Sequence, residues 1–357
     1  MAKYIEEGFS IVICTYNGKN RLEPTLTHIA ALTKPISTCV ELIIVDNAST
    51  DGTAIFTKNI WENLGKPFPI KIIQEERQGK GYAVEVGYDA ARYSYILTVD
   101  DDNWLEHDYL DQAKIILSSN PDVGVLQGHS TGNFETQPPE WFDEFKHYFI
   151  IGSPVENTGY FPANNFFVWG AGMIIRQTDW VYLRGLGFVF LTSKIPGKAA
   201  GEDNETALAL LLLGRKIYYS DKLKYKHYMP SDRITWSKLR SNFETFGYVS
   251  HYLFLYAIAI DSCKNGYSIR DINIYSKFKN LMPTLRYFTY KQHLYYWVRP
   301  VEESYQLKLV QYYSHYKWFF KLSSSALRDI KFLRNWIMPL LEKCPDEFEW
   351  PYKMFKD

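Results

Sequence analysis

The sequence has few cysteines and no cysteine pattern. Four cysteines occur among 357 residues, at scattered positions: Cys14, Cys39, Cys263 and Cys344. Disulfide frameworks and structural metal sites use regularly spaced cysteines. Cys14 also lies inside an apolar run, where a free thiol serves as a small hydrophobic side chain. We therefore expect reduced thiols and a cytoplasmic protein.

Long hydrophobic runs are missing as well. The longest apolar stretch covers residues 248–260, whereas a membrane-spanning helix needs about 20 predominantly apolar residues. Glu6 and Glu7 stand where a secretion signal would carry positive charge. The sequence thus predicts neither a spanning helix nor a secretion signal.

Neither sign of charge is in excess. Lys and Arg total 40, and Asp and Glu also total 40. A strongly basic surface marks many nucleic-acid binders, so this balance argues against a nucleic-acid partner. A hydrophobic fraction of 46% argues against a disordered chain. The length fits one catalytic domain of roughly 240 residues with a smaller appendage.

The first half of the sequence alternates β-branched runs with helical segments, which is typical of parallel βαβ units in a doubly wound sheet. Strands are predicted at residues 10–14, 41–45, 70–74 and 95–99, and a polar cluster follows each. In open α/β sheets, ligands bind beyond the carboxyl ends of the strands. The four clusters should therefore converge on one site.

A second group of elements follows. Residues 166–176 are predicted to form an apolar strand, and a helix should begin after Gly201 and end at Gly214. After about residue 235, aromatic residues multiply and helical periodicity dominates. We predict a catalytic domain of residues 1–240 and a helical, aromatic-rich region of residues 241–357.

An acidic triplet, Asp100 to Asp102, comes directly after the fourth predicted strand. Adjacent carboxylates repel one another, so burying them near a strand end is costly unless a cation offsets the repulsion. Mn²⁺ or Mg²⁺ prefers oxygen ligands and often bridges carboxylates and phosphates. The triplet thus indicates a metal–diphosphate site, although a solvated acidic loop would have the same sequence.

Five segments, in the usual order, resemble glycosyltransferase family 2. They are SIVICTYN at residues 10–17, ELIIVDNASTDGT at 41–53, the acidic triplet, GAGMIIR at 170–176 and GEDNE at 201–205. The resemblance covers about residues 8–240. It implies an α/β fold of the GT-A type, Rossmann-like with a mostly parallel twisted sheet and flanking helices, followed by a C-terminal helical extension. It also implies inverting transfer from a nucleoside-diphosphate-sugar, with uridine as the favoured nucleoside.

The resemblance assigns donor contacts to the first two segments. Asp46 would accept a hydrogen bond from the nucleobase, while Thr15, Tyr16 and Asn17 would shape the base pocket. A carboxylate only accepts hydrogen bonds and a pyrimidine imide N–H only donates them, so the pairing is chemically sound. The structural alternative is that Asp46 and Asp51 cap the next helix or form an Asx turn, and both roles can coexist.

The resemblance gives each carboxylate of the triplet a role. The family pattern is Asp, any residue, Asp, which assigns Asp102 and then Asp100 to the metal. Asp100 or Asp101 would bind the ribose hydroxyls. Alternation along an extended segment would point Asp100 and Asp102 the same way and Asp101 the opposite way.

Basic residues elsewhere are candidates for contacts with a phosphate or a base carbonyl of the donor. Arg77 and Lys80 lie in a glycine-containing loop that resembles the family's nucleotide loop, although such a loop is often only a turn. Arg233 is a candidate clamp for the leaving group, whose charge grows in the transition state. His227 is a candidate third metal ligand, or a structural histidine.

The last segment carries the candidate base. By resemblance, Asp203 would take the proton of the acceptor hydroxyl, and Glu202 would orient it. Acidic residues in the first turn of a helix also complement the helix dipole without any catalytic role. The order of the five segments along the sequence favours the role of Asp203 as the base.

Two other functions use similar sequences. A nucleotidyltransferase would also need metal and nucleotide, but it usually carries an early glycine-rich signature, and residues 10–22 do not resemble one. A non-catalytic glycan-binding relative would not need Asp102 and Asp203. Processive relatives carry a Gln-x-x-Arg-Trp motif that this sequence lacks, so we predict addition of one sugar to a glycan or lipid-linked acceptor in surface polysaccharide or glycoconjugate assembly.

The C-terminal region is basic and aromatic. Residues 281–343 contain ten Lys or Arg against four Asp or Glu, interleaved with Tyr, Trp and Phe. Such helices suit a membrane interface, here the inner face of the cell membrane, and they equally suit packing against the rest of the protein. We expect peripheral membrane contact or packing, or both on different faces.

Overall fold

The computed structural model describes residues 6–162, 165–195, 197, 200–274 and 303–343. Described residues fall into two compact units. The first comprises those up to Pro162 and from Phe166 to Thr235, and the second comprises Asn165 and those from Trp236 onward. The predicted domains, 1–240 and 241–357, remain a proposal.

The first unit is built on one twisted sheet. Its strands are β1 (Glu6–Thr15), β2 (Cys39–Asp46), β3 (Ile70–Gln74), β4 (Tyr93–Asp100), β5 (Asn103–Leu105), β6 (Val123–Phe134), β7 (Gly159–Tyr160), β8 (Ile174–Arg176) and β9 (Lys216–Met229). Its helices are α1 (Leu22–Ala30), α2 (Thr53–Asn63), α3 (Lys80–Ala90), α4 (Tyr109–Ser119), α5 (Phe142–Phe145), α6 (Gln177–Gly185) and α7 (Glu202–Leu212). Short 3₁₀ turns cover Lys146–Phe149 and Ser231–Arg233.

The strand order is β3-β2-β1-β4-β8-β6-β9-β5, and β7 pairs with β9. Strands β1 to β4 are mutually parallel, as predicted from the βαβ pattern. The other half is mixed, because β8 runs antiparallel to both β4 and β6. The loops after β1, β2, β3 and β4 therefore open at one edge of the sheet, which confirms the expected convergence of polar clusters.

The predicted strand at residues 166–176 is wrong over most of its length, since only Ile174–Arg176 pairs in the sheet. Side chains hold the backbone before it in a loop. Gln127 donates to the Trp169 carbonyl at 2.8 Å and accepts from the Trp169 amide at 2.9 Å. Gly172 adopts φ +68°, which ends the extended conformation.

The second unit contains two long helices, α8 (Trp236–Lys264) and α9 (Glu303–Lys343), and a 3₁₀ turn at Ile269–Asp271. Helices α8 and α9 pack against each other through aromatic and aliphatic side chains, such as Tyr248 against Trp318. Within the described residues, no helix is both long and apolar enough to cross a membrane. The first part of the basic tail, residues 281–302, lies outside the described residues.

Candidate active site

Hydrogen bonds join the loops after β1 and β2. The Asn17 amide donates to Ser49 Oγ at 2.9 Å, and Asn17 Oδ1 accepts from the Thr50 amide at 2.9 Å. Asn17 adopts φ +48°, a conformation that Asn tolerates better than most residues. Asn17, predicted to contact the nucleotide, therefore lies where it shapes both loops.

Asn47 organises the loop after β3. Its side-chain amide donates to the carbonyls of Glu75 at 3.1 Å and Arg77 at 2.7 Å, and its Oδ1 accepts from the Gly79 amide at 2.9 Å. Sequence reasoning missed this residue, although it stands beside Asp46 in the quoted second segment. One buried side chain thus fixes the glycine-containing loop against the end of β2.

Asp46 and Tyr16 lie at the predicted base pocket. Asp46 is buried, and its Oδ1 accepts from the Ser49 amide, three residues on, at 3.1 Å, so it stabilises the loop after β2 without forming an Asx turn. That bond leaves Oδ2 for a base N–H. The Tyr16 side chain is half exposed, as a stacking surface must be.

Arg77 folds back onto its own loop. Its guanidinium pairs with Glu75 at 2.9 and 2.7 Å and lies 4.5 Å from the centre of the Tyr82 ring. Glu75 is buried, whereas the Arg77 side chain is mostly exposed. Arg77 is therefore at the rim of the site, and donor contact by this residue remains a prediction.

Each carboxylate of the acidic triplet has its own cation. Asp100 pairs with Lys80 at 2.9 Å, Asp101 pairs with Arg21 at 2.8 Å, and Asp102 pairs with Arg233. These partners come from α3, the start of α1 and the 3₁₀ turn after β9. The repulsion that the sequence led us to expect is thus offset by three protein cations.

Asp101 lies in the turn after β4, so the alternation expected of an extended segment does not apply there, and it has partners of its own. Thr15 Oγ1 donates to its Oδ2 at 2.6 Å, and Arg21 donates to both oxygens. Burial raises the pKa of Asp101 above its usual value, although Arg21 opposes this. A Cβ at Gly18 would lie 2.8 Å from Asp101 Oδ2, so this approach requires glycine. Nothing in the sequence singled out Arg21.

His227 is brought beside Asp102 by the sheet. Strand β5 pairs with β9 so that Asn103 faces His227. His227 Nε2 lies 3.5 Å from Asp102 Oδ1, and the side chain is fully buried. Burial alone would raise the pKa of Asp102, but His227 and Arg233 outweigh it and hold this pKa well below its usual value.

These side chains fit a divalent ion with two protein donors. Neither ring nitrogen of His227 has a hydrogen-bond partner, which is costly for a buried imidazole that has no ligand. Asp102 offers a carboxylate oxygen at the same point. Over the described ranges, no three His, Cys, Asp or Glu side chains group together as a metal site, so phosphate and water oxygens would complete the coordination.

Asp203 lies in the first turn of α7. The amide of Gly170 donates to its Oδ2 at 3.1 Å, and Asn204 donates to its Oδ1 through backbone and side chain, both at 2.7 Å. Burial, followed by the neighbouring charge of Glu202, raises the pKa of Asp203 to about 7, while Lys80 opposes the shift. Its carboxylate is therefore poised to exchange a proton near neutral pH.

Glu202 contacts Lys80 and Ser193 through its two carboxylate oxygens. Its Oε1 lies 3.1 Å from Lys80 Nζ, and its Oε2 accepts from Ser193 Oγ. Burial alone would lower the pKa of Lys80, but the charges of Asp100 and Glu202 raise it well above its usual value. Lys80, predicted to contact the donor phosphates, is thus placed between the triplet and the base segment.

Residues 10–183 match the sequence model of the family described as Glycosyl transferase family 2. A curated relative, the poly-β-1,6-N-acetyl-D-glucosamine synthase of Staphylococcus aureus (strain MSSA476), is 29% identical over 123 residues, which are 34% of this chain and 28% of the relative. The matched part is thus little more than a quarter of that relative's length.

Two solved structures are similar over most of the chain. Staphylococcus aureus TarS 1–349 in complex with UDP-GlcNAc has a TM-score of 0.52 at 16% identity, covering 94% of this chain and 92% of TarS 1–349. The mannosyltransferase PcManGT from Pyrobaculum calidifontis, in complex with GDP-Man and Mn²⁺, has a TM-score of 0.52 at 16% identity, with coverage of 97% and 89%. These similarities confirm the predicted fold class.

Proposed function

We propose that this chain, whose residues 10–183 match the model of Glycosyl transferase family 2, transfers one sugar from a nucleoside-diphosphate-sugar to a glycan or lipid-linked acceptor. The favoured nucleotide is UDP, and the favoured process is surface polysaccharide or glycoconjugate assembly. One observation carries the proposal: Lys80 contacts both Asp100 of the acidic triplet, at 2.9 Å, and Glu202 beside Asp203, at 3.1 Å, so the predicted donor and base segments belong to one site.

The donor side supports a nucleotide. Asp46 Oδ2 would accept a hydrogen bond from the imide N–H of uracil, and Tyr16 would stack on the ring. The hydrogen bonds between the loops after β1 and β2 would stabilise this pocket. Arg233 would exchange its bond to Asp102 for one to the diphosphate, since a guanidinium matches phosphate geometry. The related structures contain UDP-GlcNAc, or GDP-Man with Mn²⁺.

Asp102 and His227 would hold the divalent ion. When bound, the ion would neutralise the diphosphate and favour its departure. Asp102 is favoured over Asp100 because it lies beside the buried His227, whereas Asp100 pairs with Lys80. Asp100 and Asp101 would instead line the ribose and sugar side of the site.

Asp203 would be the general base of an inverting transfer. The acceptor oxygen would attack the anomeric carbon, its proton would pass to an Asp203 oxygen, and the bond from the anomeric carbon to the diphosphate oxygen would break. The Gly170 amide and Asn204 would hold the carboxylate in place for this transfer. A single displacement of this kind inverts the anomeric configuration.

Metal-dependent nucleotide binding tests this proposal. Thermal shifts and calorimetry with UDP, GDP and other nucleoside diphosphates, with and without Mn²⁺, should show one nucleotide whose binding requires the metal. Asp102→Ala should abolish the metal-dependent part. Asp179→Ala is the matched control. Asp179 lies on α6, is also buried, and pairs with an arginine, Arg215, at 2.7 Å. Unchanged metal-dependent binding in Asp102→Ala would contradict the assignment.

We also propose that α9 contacts an anionic membrane surface. Between Lys317 and Lys331, the exposed side chains of α9 are four basic residues, one serine and two large apolar residues, and none is acidic. The exposed residues are Lys317, Phe320, Lys321, Ser324, Leu327, Arg328 and Lys331. Basic and aromatic side chains on one helix face suit lipid headgroups.

Liposome sedimentation tests the membrane proposal. The protein should pellet with anionic vesicles at low salt and be released as salt rises, because screening weakens the attraction. Alanine at the four basic positions should abolish pelleting, whereas alanine at four exposed lysines of the first unit should not: Lys34, Lys58, Lys71 and Lys222. Absence of pelleting at every ionic strength would leave packing as the role of the tail.

A further inference from the structure

Lys80 stands between two carboxylates that belong to different parts of the site. Its Nζ lies 2.9 Å from Asp100 Oδ1, at the end of β4, and 3.1 Å from Glu202 Oε1, at the start of α7. The side chain is about one quarter exposed, so water screens these pairs only in part. One ammonium group thus ties the acidic triplet to the segment that carries Asp203.

The same ammonium group lies near the base. A Cβ added at Gly170 would lie 3.9 Å from Lys80 Nζ and 3.9 Å from Asp203 Oδ2. Lys80 Nζ and Asp203 Oδ2 therefore both lie beside Gly170. Glu202 is adjacent to Asp203 in sequence, so the base has an anion and a cation close by.

The loop before α7 fixes Lys80 in this place. The Gly81 amide donates to the Ser193 carbonyl at 2.9 Å, and Ser193 Oγ donates to Glu202. A Cβ at Gly79 would lie 2.8 Å from the Ser193 carbonyl oxygen, and one at Gly81 would lie 2.9 Å from the Thr192 carbonyl oxygen. The backbone on both sides of Lys80 is therefore packed against the loop that leads to the base.

We propose that Lys80 is a positioning residue that keeps Asp203 ionised by opposing the charge of Glu202, and that it does so instead of binding the donor phosphates. This inference rests on the proposed function, because it assigns Asp203 the role of base. The groups that act on Asp203 are then Glu202 on α7, Lys80 on α3 and, through Lys80, Asp100 on β4. Removal of the Lys80 charge should raise the pKa of Asp203, and removal of the Glu202 charge should lower it.

The titration of Asp203 tests the proposal without any need for turnover. In protein labelled with ¹³C at aspartate carboxyl carbons, the Asp203 signal is identified by its loss in Asp203→Asn. Lys80→Met should raise the midpoint by roughly one pH unit, as expected for loss of a nearby opposite charge. Glu202→Gln should lower it by a similar amount. The midpoint of the acid limb of kcat/KM should likewise rise in Lys80→Met and fall in Glu202→Gln.

Lys194→Met is the matched control, since Lys194 pairs with Glu85 at 2.8 Å and has similar exposure. It should leave the midpoint unchanged. If Lys80→Met does not fold, judged by circular dichroism, Glu202→Gln and the double variant Lys80→Met/Glu202→Gln still decide the question. The double variant should titrate near the wild-type midpoint.

Unchanged midpoints in Lys80→Met and Glu202→Gln would overturn the proposal, and so would equal effects of Lys80→Met and Lys194→Met. Failure of the proposed function has a different signature. In that case wild-type protein would consume no nucleotide-sugar, while the two midpoints would still move in opposite directions.

Discussion

At the scale of single residues, ion pairs offset the mutual repulsion of the three adjacent carboxylates. Asp100, Asp101 and Asp102 are adjacent, yet their side chains meet three different cations from three separate segments. Ion pairs that are shielded from water depend on having both partners, because removal of one leaves a charge without compensation. The cost of a single substitution in the triplet should therefore exceed that of an exposed acidic residue.

The raised pKa of Asp203 predicts the pH dependence of the reaction. Only the ionised carboxylate can accept a proton, and its pKa is raised to about 7. Thus kcat/KM should be highest above pH 7 and fall by about tenfold for each pH unit below it. An ordinary aspartate, with a pKa near 4, would keep full activity down to about pH 5.

Initial rates of donor turnover between pH 5 and 9 check this prediction. Wild-type protein should show an acid limb with a midpoint near 7. A constant kcat/KM down to pH 5 would mean that Asp203 titrates normally or takes no part as a base.

At the scale of elements, helix α3 brings Lys80 into the site by packing closely on the sheet. Gly87 makes this possible, because a Cβ there would lie 2.4 Å from Val12 Cγ1 on β1 and 3.2 Å from Val45 Cγ2 on β2. The valines are buried in the core of the sheet. A side chain at position 87 would therefore force the helix away from the sheet.

Gly87→Ala should lower the free energy of unfolding by about 1–3 kcal/mol, the usual cost of overpacking a core. Gly185→Ala is the matched control, since a Cβ at that helical position would meet nothing within 4 Å. Denaturant unfolding of both variants checks the prediction. Equal midpoints for Gly87→Ala and wild type would show that α3 is not held by this contact.

The elements also show what the sequence can and cannot predict. The parallel strands β1 to β4 follow from apolar runs that end in polar clusters, so convergence of those clusters was predictable. The loop at residues 166–172 was not, because its conformation depends on Gln127, which is distant in sequence. Long-range partners of this kind leave no periodic signal in the sequence.

At the scale of the whole molecule, sequence motifs predicted the GT-A fold class, which the solved structures confirm, and singled out the acidic triplet and Asp203. The cations of the triplet were only partly predictable. The sequence singled out Lys80 and Arg233 but did not predict their pairing with Asp100 and Asp102, and it did not single out Arg21. Electrostatic partners depend on which strand ends and helix starts meet, and the fold alone determines that.

The account's central claim is that Asp203 is the general base of an inverting sugar transfer. The most direct test is single-turnover reaction of the nucleotide-sugar in wild type and Asp203→Asn, followed by NMR of the anomeric product, with calorimetric donor binding measured alongside. We predict inverted product, a rate about 10²-fold or more lower in Asp203→Asn, and nearly unchanged donor affinity. A product that retains the donor's configuration, or near-normal transfer by Asp203→Asn, would contradict the claim.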